Sequence, residues 1–245
     1  MLKFFVVFSV MFGISSGMFA DKRPYVWTYP YMLGHPGAIE LEHYLTYSIS
    51  DLYSASNTVS VVHQVEIETG ITPYWDIGIY QIFKQSPAGS GSLKYDSFKL
   101  RTRFALAGKD EFVMDPLLYL ELKSSADISE FEGEIKLILS KDILPGVNVA
   151  LNPYYAVKFG PKILTEQSFK FAAGVSYAFT EWFSLSGEFR VSVDFLPAGP
   201  LEKVYVGPTV LIGKGDIRWT FGASFRVFSI STSGAEFRSL LGFYF

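Results

Sequence analysis

The side chains able to do chemistry are few. The 245 residues contain no cysteine, which removes thiolate nucleophiles, thiolate metal sites, disulfide frameworks and lipid attachment at cysteine. Three histidines remain, His35, His43 and His63. An imidazole beside a serine would suit nucleophilic hydrolysis, and Ser60 lies near His63 in sequence. In an extended chain those two residues have opposite parity, whereas a nucleophile and its base must share one site. His43 and His63 share parity, and a hairpin centred near residue 54 brings them into diagonal contact. Gly-rich phosphate loops, metal-ligand clusters and a Gly-x-Ser-x-Gly turn are all missing. The reading is no enzyme, no metal and no cofactor, with a lipid hydrolase using His43 or His63 as the alternative.

The charged residues say more. Lys99, Arg101 and Arg103 alternate along one segment. A turn centred near residue 111 sets Arg101 opposite Glu121, and Glu130, Glu132 and Glu134 follow on the next segment. Arg226 is set against Glu236 in the same way, and Arg190 shares the charged parity. Such a face either braces an interior through ion pairs or lines a pore whose transverse field orients polar solutes. Net charge is −3, so nucleic acid has no electrostatic claim on the chain.

These side chains need elements to hold them, and composition narrows the choice. The chain is 49% hydrophobic and 18% charged, against about 25% charged in ordinary domains. Mean hydropathy is +0.23, which suits a membrane. Yet after residue 20 no run approaches the roughly 18 apolar residues of a spanning helix. Residues 1–20 read as a secretory signal, with Lys3 ahead of an apolar stretch and a cut after Gly17 or Ala20.

From residue 39 onward the apolar residues alternate with polar ones, the period of a strand. Twelve segments carry the pattern: 39–49, 58–68, 75–83, 98–106, 116–123, 130–140, 147–157, 169–179, 182–195, 203–212, 217–228 and 235–245. Turn residues such as Pro145-Gly146 and Gly213-Lys214-Gly215-Asp216 separate them. Each strand averages about eleven residues, and a strand crossing a bilayer needs about 9–11. The more apolar face of the twelve holds no Asp, Glu, Lys or Arg.

A soluble sandwich would turn that face inward, and a transmembrane barrel would turn it to lipid. The barrel is preferred, because twelve strands carry more large apolar residues than the interior of one small closed barrel holds. Aromatics also gather at strand ends, as membrane interfaces require. Trp27, Trp75, Trp182, Trp219 and Phe245 are the expected interface residues. With both chain ends on the periplasmic side, the longer outer loops are 50–57, 84–95, 124–129, 158–168, 196–202 and 229–234.

The chain ends Leu240-Leu241-Gly242-Phe243-Tyr244-Phe245. This strand resembles the C-terminal assembly signal of bacterial outer-membrane proteins, and the resemblance implies recognition by the barrel-assembly machinery. The stretch from Glu66 to Tyr80, with Thr69-Gly70-Ile71-Thr72-Pro73-Tyr74-Trp75 at its centre, resembles a hairpin of uncharacterised outer-membrane barrels similar to meta-pathway phenol-degradation transporters. Tyr177-Ala178-Phe179-Thr180-Glu181-Trp182 echoes its threonine-to-tryptophan turn. The resemblance implies an architecture and carries over no substrate-contact residue.

The expectation is therefore an all-β, up-and-down, antiparallel barrel of twelve transmembrane strands over residues 38–245. Residues 1–20 form its signal peptide. Residues 21–37, rich in proline and aromatics, form a lead-in that either plugs the periplasmic mouth or docks at the interface. The expected partners are outer-membrane lipid, the assembly machinery and small solutes. The expected role is a porin-like channel or transporter for small polar or amphipathic solutes, the alternatives being the hydrolase and a closed structural or adhesive barrel.

Overall fold

Alternation gives each strand an apolar and a polar face, and lipid leaves no room for an unpaired backbone, so the strands must close into a ring. The computed structural model describes residues 23–54, 58–88, 91–161, 163–196, 199–229 and 234–245; the expected signal lies outside them. The strands are β1 (Ile39–Ile49), β2 (Val59–Thr72), β3 (Trp75–Gln85), β4 (Lys94–Ala105), β5 (Asp115–Ser125) and β6 (Phe131–Leu144). They continue with β7 (Val147–Gly160), β8 (Ile163–Thr180), β9 (Phe183–Leu196), β10 (Gly199–Lys214), β11 (Ile217–Ser229) and β12 (Ala235–Tyr244). Each pairs antiparallel with its sequence neighbours, and β1 closes the barrel on β12 from Glu40↔Tyr244 to Ile49↔Ala235.

Parity decides what faces out. In β1, Glu40, Glu42, Tyr44 and Thr46 are buried inside, while Ile39, Leu45 and Tyr47 are exposed. The outer belt continues through Ile67, Ile79, Leu100, Leu122, Ile135, Phe169, Val175, Phe189 and Phe221. An apolar exterior around a polar interior is the inverse of a soluble fold and matches a lipid-facing barrel.

One end of the barrel carries both termini of the wall and, apart from the 106–114 loop, two-residue turns. Two of these turns share a device. Tyr74 N donates to Thr72 Oγ1 at 3.2 Å and Trp182 N donates to Thr180 Oγ1 at 3.3 Å, so the sequence echo is a repeated threonine-capped turn. The opposite end departs from expectation. The long loops at 158–168 and 196–202 are instead strand, joined at 161–162 and 197–198. Pairing runs out to Gly160↔Ile163 and Gly199↔Leu196, because backbone pairing continues past the apolar belt that sequence alternation tracks. The wall is therefore tallest at β7–β10.

Candidate functional site

Two glycines let arginines reach across the wall. Arg101 on β4 points inward, and on the neighbouring β3 the residue beside it is Gly78. A Cβ there would lie 2.7 Å from the Arg101 guanidinium. Without one, the side chain passes over β3 to Glu66 and Glu68 on β2, at 3.1 and 2.8 Å. On the other flank Arg218 of β11 passes over Gly242 of β12 to Glu40 at 2.5 Å and to Glu42. The two systems meet where β1 pairs with β2, with Glu40 opposite Glu68 and Glu42 opposite Glu66.

Arg103 adds a third guanidinium, with its Nε 3.0 Å from Asp76 Oδ2 and a contact to Glu68. The whole network is buried. Oxygens of Glu42, Glu66 and Glu68 lie within 4.8 Å of one another, a spacing that suits a cation. Guanidinium groups already take all three carboxylates, so the set is built for arginine.

The expected pairings shift accordingly. Arg101 does lie opposite Glu121 in register, but Lys99 takes that carboxylate at 2.9 Å. Ser224, not Arg226, lies opposite Glu236. Glu236 receives Arg190 at 2.6 Å, and Arg226 donates to Tyr205. Glu134 pairs with Lys136 at 2.9 Å, and Glu132 with Lys170 at 3.7 Å. Glu130 is not on the inner wall. It sits exposed in the β5–β6 connection, its N–H held by Ser125 Oγ at 3.0 Å, because β6 starts one residue later than alternation suggests.

Residues 23–34 lie inside the barrel, and Pro36 and Gly37 are exposed at its rim beside Gly70. Tyr25, Val26 and Thr28 have no solvent exposure. Successive N–H groups of Val26, Trp27 and Thr28 converge on the Glu188 carboxylate of β9 at 2.9, 2.9 and 2.7 Å, and Thr209 donates to it at 2.6 Å. This is an anion nest made by the segment and filled by the wall. Asn152 of β7 takes the Tyr29 backbone from both sides, accepting at 2.6 Å and donating at 2.9 Å. Ser186 and Thr220 donate to the carbonyls of Pro24 and Arg23.

The wall also makes room. A Cβ on Gly174 would stand 2.5 Å from the Tyr25 ring, and one on Gly222 would stand 2.4 Å from Val26 Cγ2. The segment then meets the ion network, since Gly34 N donates to Asp76 at 2.9 Å and Arg23 donates to Tyr44 at 3.2 Å.

Cavities lie on both sides of the segment. Toward the turn end is one of about 620 Å³, bordered by Pro24, Tyr31, Asp115, Asn148 and Ser184. Toward the loop end is one of about 310 Å³, bordered by Trp27, Tyr29, Tyr80, Lys136, Arg190 and Arg238. The two share no lining residue.

Trp27 is thus misplaced by the interface reading. Its ring is buried in the lumen between the guanidinium groups of Arg190 at 4.6 Å and Arg238 at 5.7 Å. An aromatic, proline-rich lead-in has the same composition whether it docks on lipid or fills a barrel. Trp75, Trp182, Trp219 and Phe245 are exposed outside, near the turn end. Trp75 stacks on Phe104 and donates to Thr102 at 2.7 Å.

His43 and His63 lie on the lipid face, His43 Nε2 to His63 Nδ1 at 3.2 Å, in the diagonal set by Leu45↔His63. Ser60 faces the interior opposite Ser48, so it shares no site with the imidazoles.

Sequence reasoning put Glu188 and Arg218 on the charged inner face without partners, and left unassigned Asn152 and the inward glycines at 78, 174, 222 and 242. The glycines carried a readable signal, because a glycine at inward parity in a strand marks a close approach.

No sequence profile of a known family matches the chain, and no curated protein sequence matches it. Solved structures do. The fold is similar to the COG4313 outer membrane channel from Pseudomonas putida F1, with a TM-score of 0.69 at 10% identity, covering 92% of this chain and 100% of that one. It is also similar to the NanC porin, with 0.60 at 10% identity over 83% of this chain and 98% of that one. The KdgM porin follows, with 0.55 at 9% identity over 82% and 98%. The shared property is the closed antiparallel β-barrel.

Proposed function

We propose that the protein is a porin-like channel of a bacterial outer membrane for small polar or amphipathic solutes, with residues 23–37 as a built-in plug. One observation carries this reading: a closed barrel, apolar outside and charged inside, holds solvent-sized chambers on both sides of a segment that is not part of the wall. Channels and porins among its structural neighbours support it, and the paired imidazoles apart from Ser60 favour transport over hydrolysis. Within this class, the resemblance to meta-pathway phenol-degradation transporters makes small aromatic solutes a specific group to test. The strand ending in Phe245 serves as the insertion signal, so removing Phe245 lowers the amount of folded barrel recovered from outer membranes.

The decisive experiment is planar-bilayer recording of the full chain beside a variant lacking residues 23–34. Conductance steps that grow in the variant are the expected result. A second reading, a closed structural barrel, draws on the segment filling mid-lumen. Silence from both proteins, with folding shown by heat-modifiable gel mobility, would select it.

A further inference from the structure

The chamber on the loop side of Trp27 is electrically lopsided. Six basic and three acidic side chains line it. Two of the carboxylates that answer those bases, Glu236 for Arg190 and Asp96 for Lys123, stand outside the lining. Arg238 makes no salt bridge among the described residues. It donates to Thr46 Oγ1 at 2.9 Å and to the Val26 carbonyl at 3.2 Å.

Hydrogen bonding is incomplete on the same floor. Trp27 Nε1 and Arg190 Nε are buried and have no acceptor among the described residues. An indole N–H and a guanidinium N–H can only donate, and leaving such donors unmet is costly. What the floor lacks is an acceptor with negative charge. Above it stand ring faces, with Tyr44 and Tyr80 at 6.2 Å between centroids and Tyr29, Tyr119 and Tyr154 around the Lys136 ammonium at 4.1–4.6 Å.

We propose that this chamber binds a small ring-bearing carboxylate. Its oxygens meet Arg238 and the unmatched donors of Trp27 and Arg190, and its ring lies against the tyrosine faces. A guanidinium takes a carboxylate through strong charge-assisted bonds. The chamber's volume, about 310 Å³, lies at the small end of ligand pockets and suits one ring. A neutral ring offers no charge for Arg238, and a cation meets a wall of its own sign. The proposal deepens the channel reading and rests on it for how the solute arrives.

Calorimetric titration of the full-length, detergent-folded protein tests the site. Sodium benzoate and sodium glucuronate are the probes, with benzyl alcohol and glucose as their neutral counterparts. The expected result is saturable binding of at least one carboxylate, about ten-fold tighter than its counterpart, weakening as salt is raised. Benzoate alone would identify an aromatic ring, glucuronate alone a sugar ring, and both would mean the site reads only the shared chemistry.

Arg238→Gln should weaken binding about ten-fold. Because Arg238 also holds Val26, Lys170→Gln is the second variant; the contacts of Lys170 with Glu132 and Tyr154 are both to the wall. A loss of about three-fold or more is expected there. Neutral counterparts binding as tightly, no carboxylate binding, or binding unchanged in both variants overturns the proposal. Recording conductance on the same preparation separates the two readings. Conductance without binding overturns the site and keeps the channel, whereas binding without conductance does the reverse.

Discussion

The lumen is filled in two different ways on its two sides. Across β11, β12 and β1 to β4 the inner wall carries long charged side chains: Arg218, Glu40, Glu42, Glu66, Glu68, Asp76, Arg101 and Arg103. Across β7 to β10 it carries Ala150, Asn152, Ala172, Gly174, Ser176, Ser184, Ser186 and Thr209, and the N-terminal segment occupies the space. Twelve strands enclose more volume than the roughly eight whose side chains fill their own interior. One arc closes the gap with guanidinium–carboxylate contacts spanning three strands, and the other borrows a piece of backbone. The ionic arc is stable only when complete, since a buried charge without its partner is penalised heavily. The packed arc depends on a segment that can leave without breaking the strand-to-strand pairing of the wall, giving up only its own bonds to residues such as Glu188, Asn152, Ser186 and Thr220.

The largest test of this contrast is Arg101→Ala. It strips Glu66 of its guanidinium and leaves Glu68 with Arg103 alone, and should lower unfolding free energy by about 3–5 kcal/mol, read from urea titration of the lipid-reconstituted barrel. A loss below about 1 kcal/mol, the worth of an exposed pair, would erase the distinction.

Gly222→Val comes next. The added Cβ collides with Val26 and Trp27, an overpacking cost of about 1–3 kcal/mol that ejecting the segment relieves. The chain should then be cut by chymotrypsin after Tyr25 or Trp27 and conduct more. A segment that stays protected would show that this arc is held as firmly as the other.

Glu188→Gln leaves the shape and removes the charge that gathers three N–H groups. Bonds to charged groups contribute about 1.5–3 kcal/mol, so amide exchange at Val26, Trp27 and Thr28 should quicken about ten- to hundred-fold while the barrel's unfolding midpoint holds.

A change outside both arcs sets the floor. Asp127 sits in the β5–β6 connection, and hydrogen bonds from Ser129 and Ser125 hold its carboxyl at about 2. A folded value below the unfolded value, near 3.9, adds stability above that pH and loses it as pH falls through about 2. Carboxyl NMR titration checks the value, and Asp127→Asn should leave both arcs untouched.

How much was legible differs between the arcs. Charged residues at one parity announce the ionic arc, and Lys99, Arg101 and Arg103 lie on the face where alternation puts them. Their partners were not readable, because arginine is long enough to skip a neighbouring strand and only Gly78 and Gly242 reveal that it does. The packed arc is a row of small residues, which alternation reads as weak strand. Nothing local in Glu188 distinguishes a latch for Val26–Thr28 from one more inward charge, since the contact spans roughly 160 residues.

The sequence by itself determined twelve strands, their order, the face each turns outward and the diagonal meeting of His43 with His63. These follow from a two-residue period and from hairpin arithmetic, which are local. Only the tertiary structure decided that Trp27 enters the lumen, that the wall at β7–β10 outgrows its apolar belt, and which carboxylate each arginine takes. Those outcomes depend on what lies across the barrel, on the reach of long side chains and on the volume left over. A linear pattern encodes none of the three.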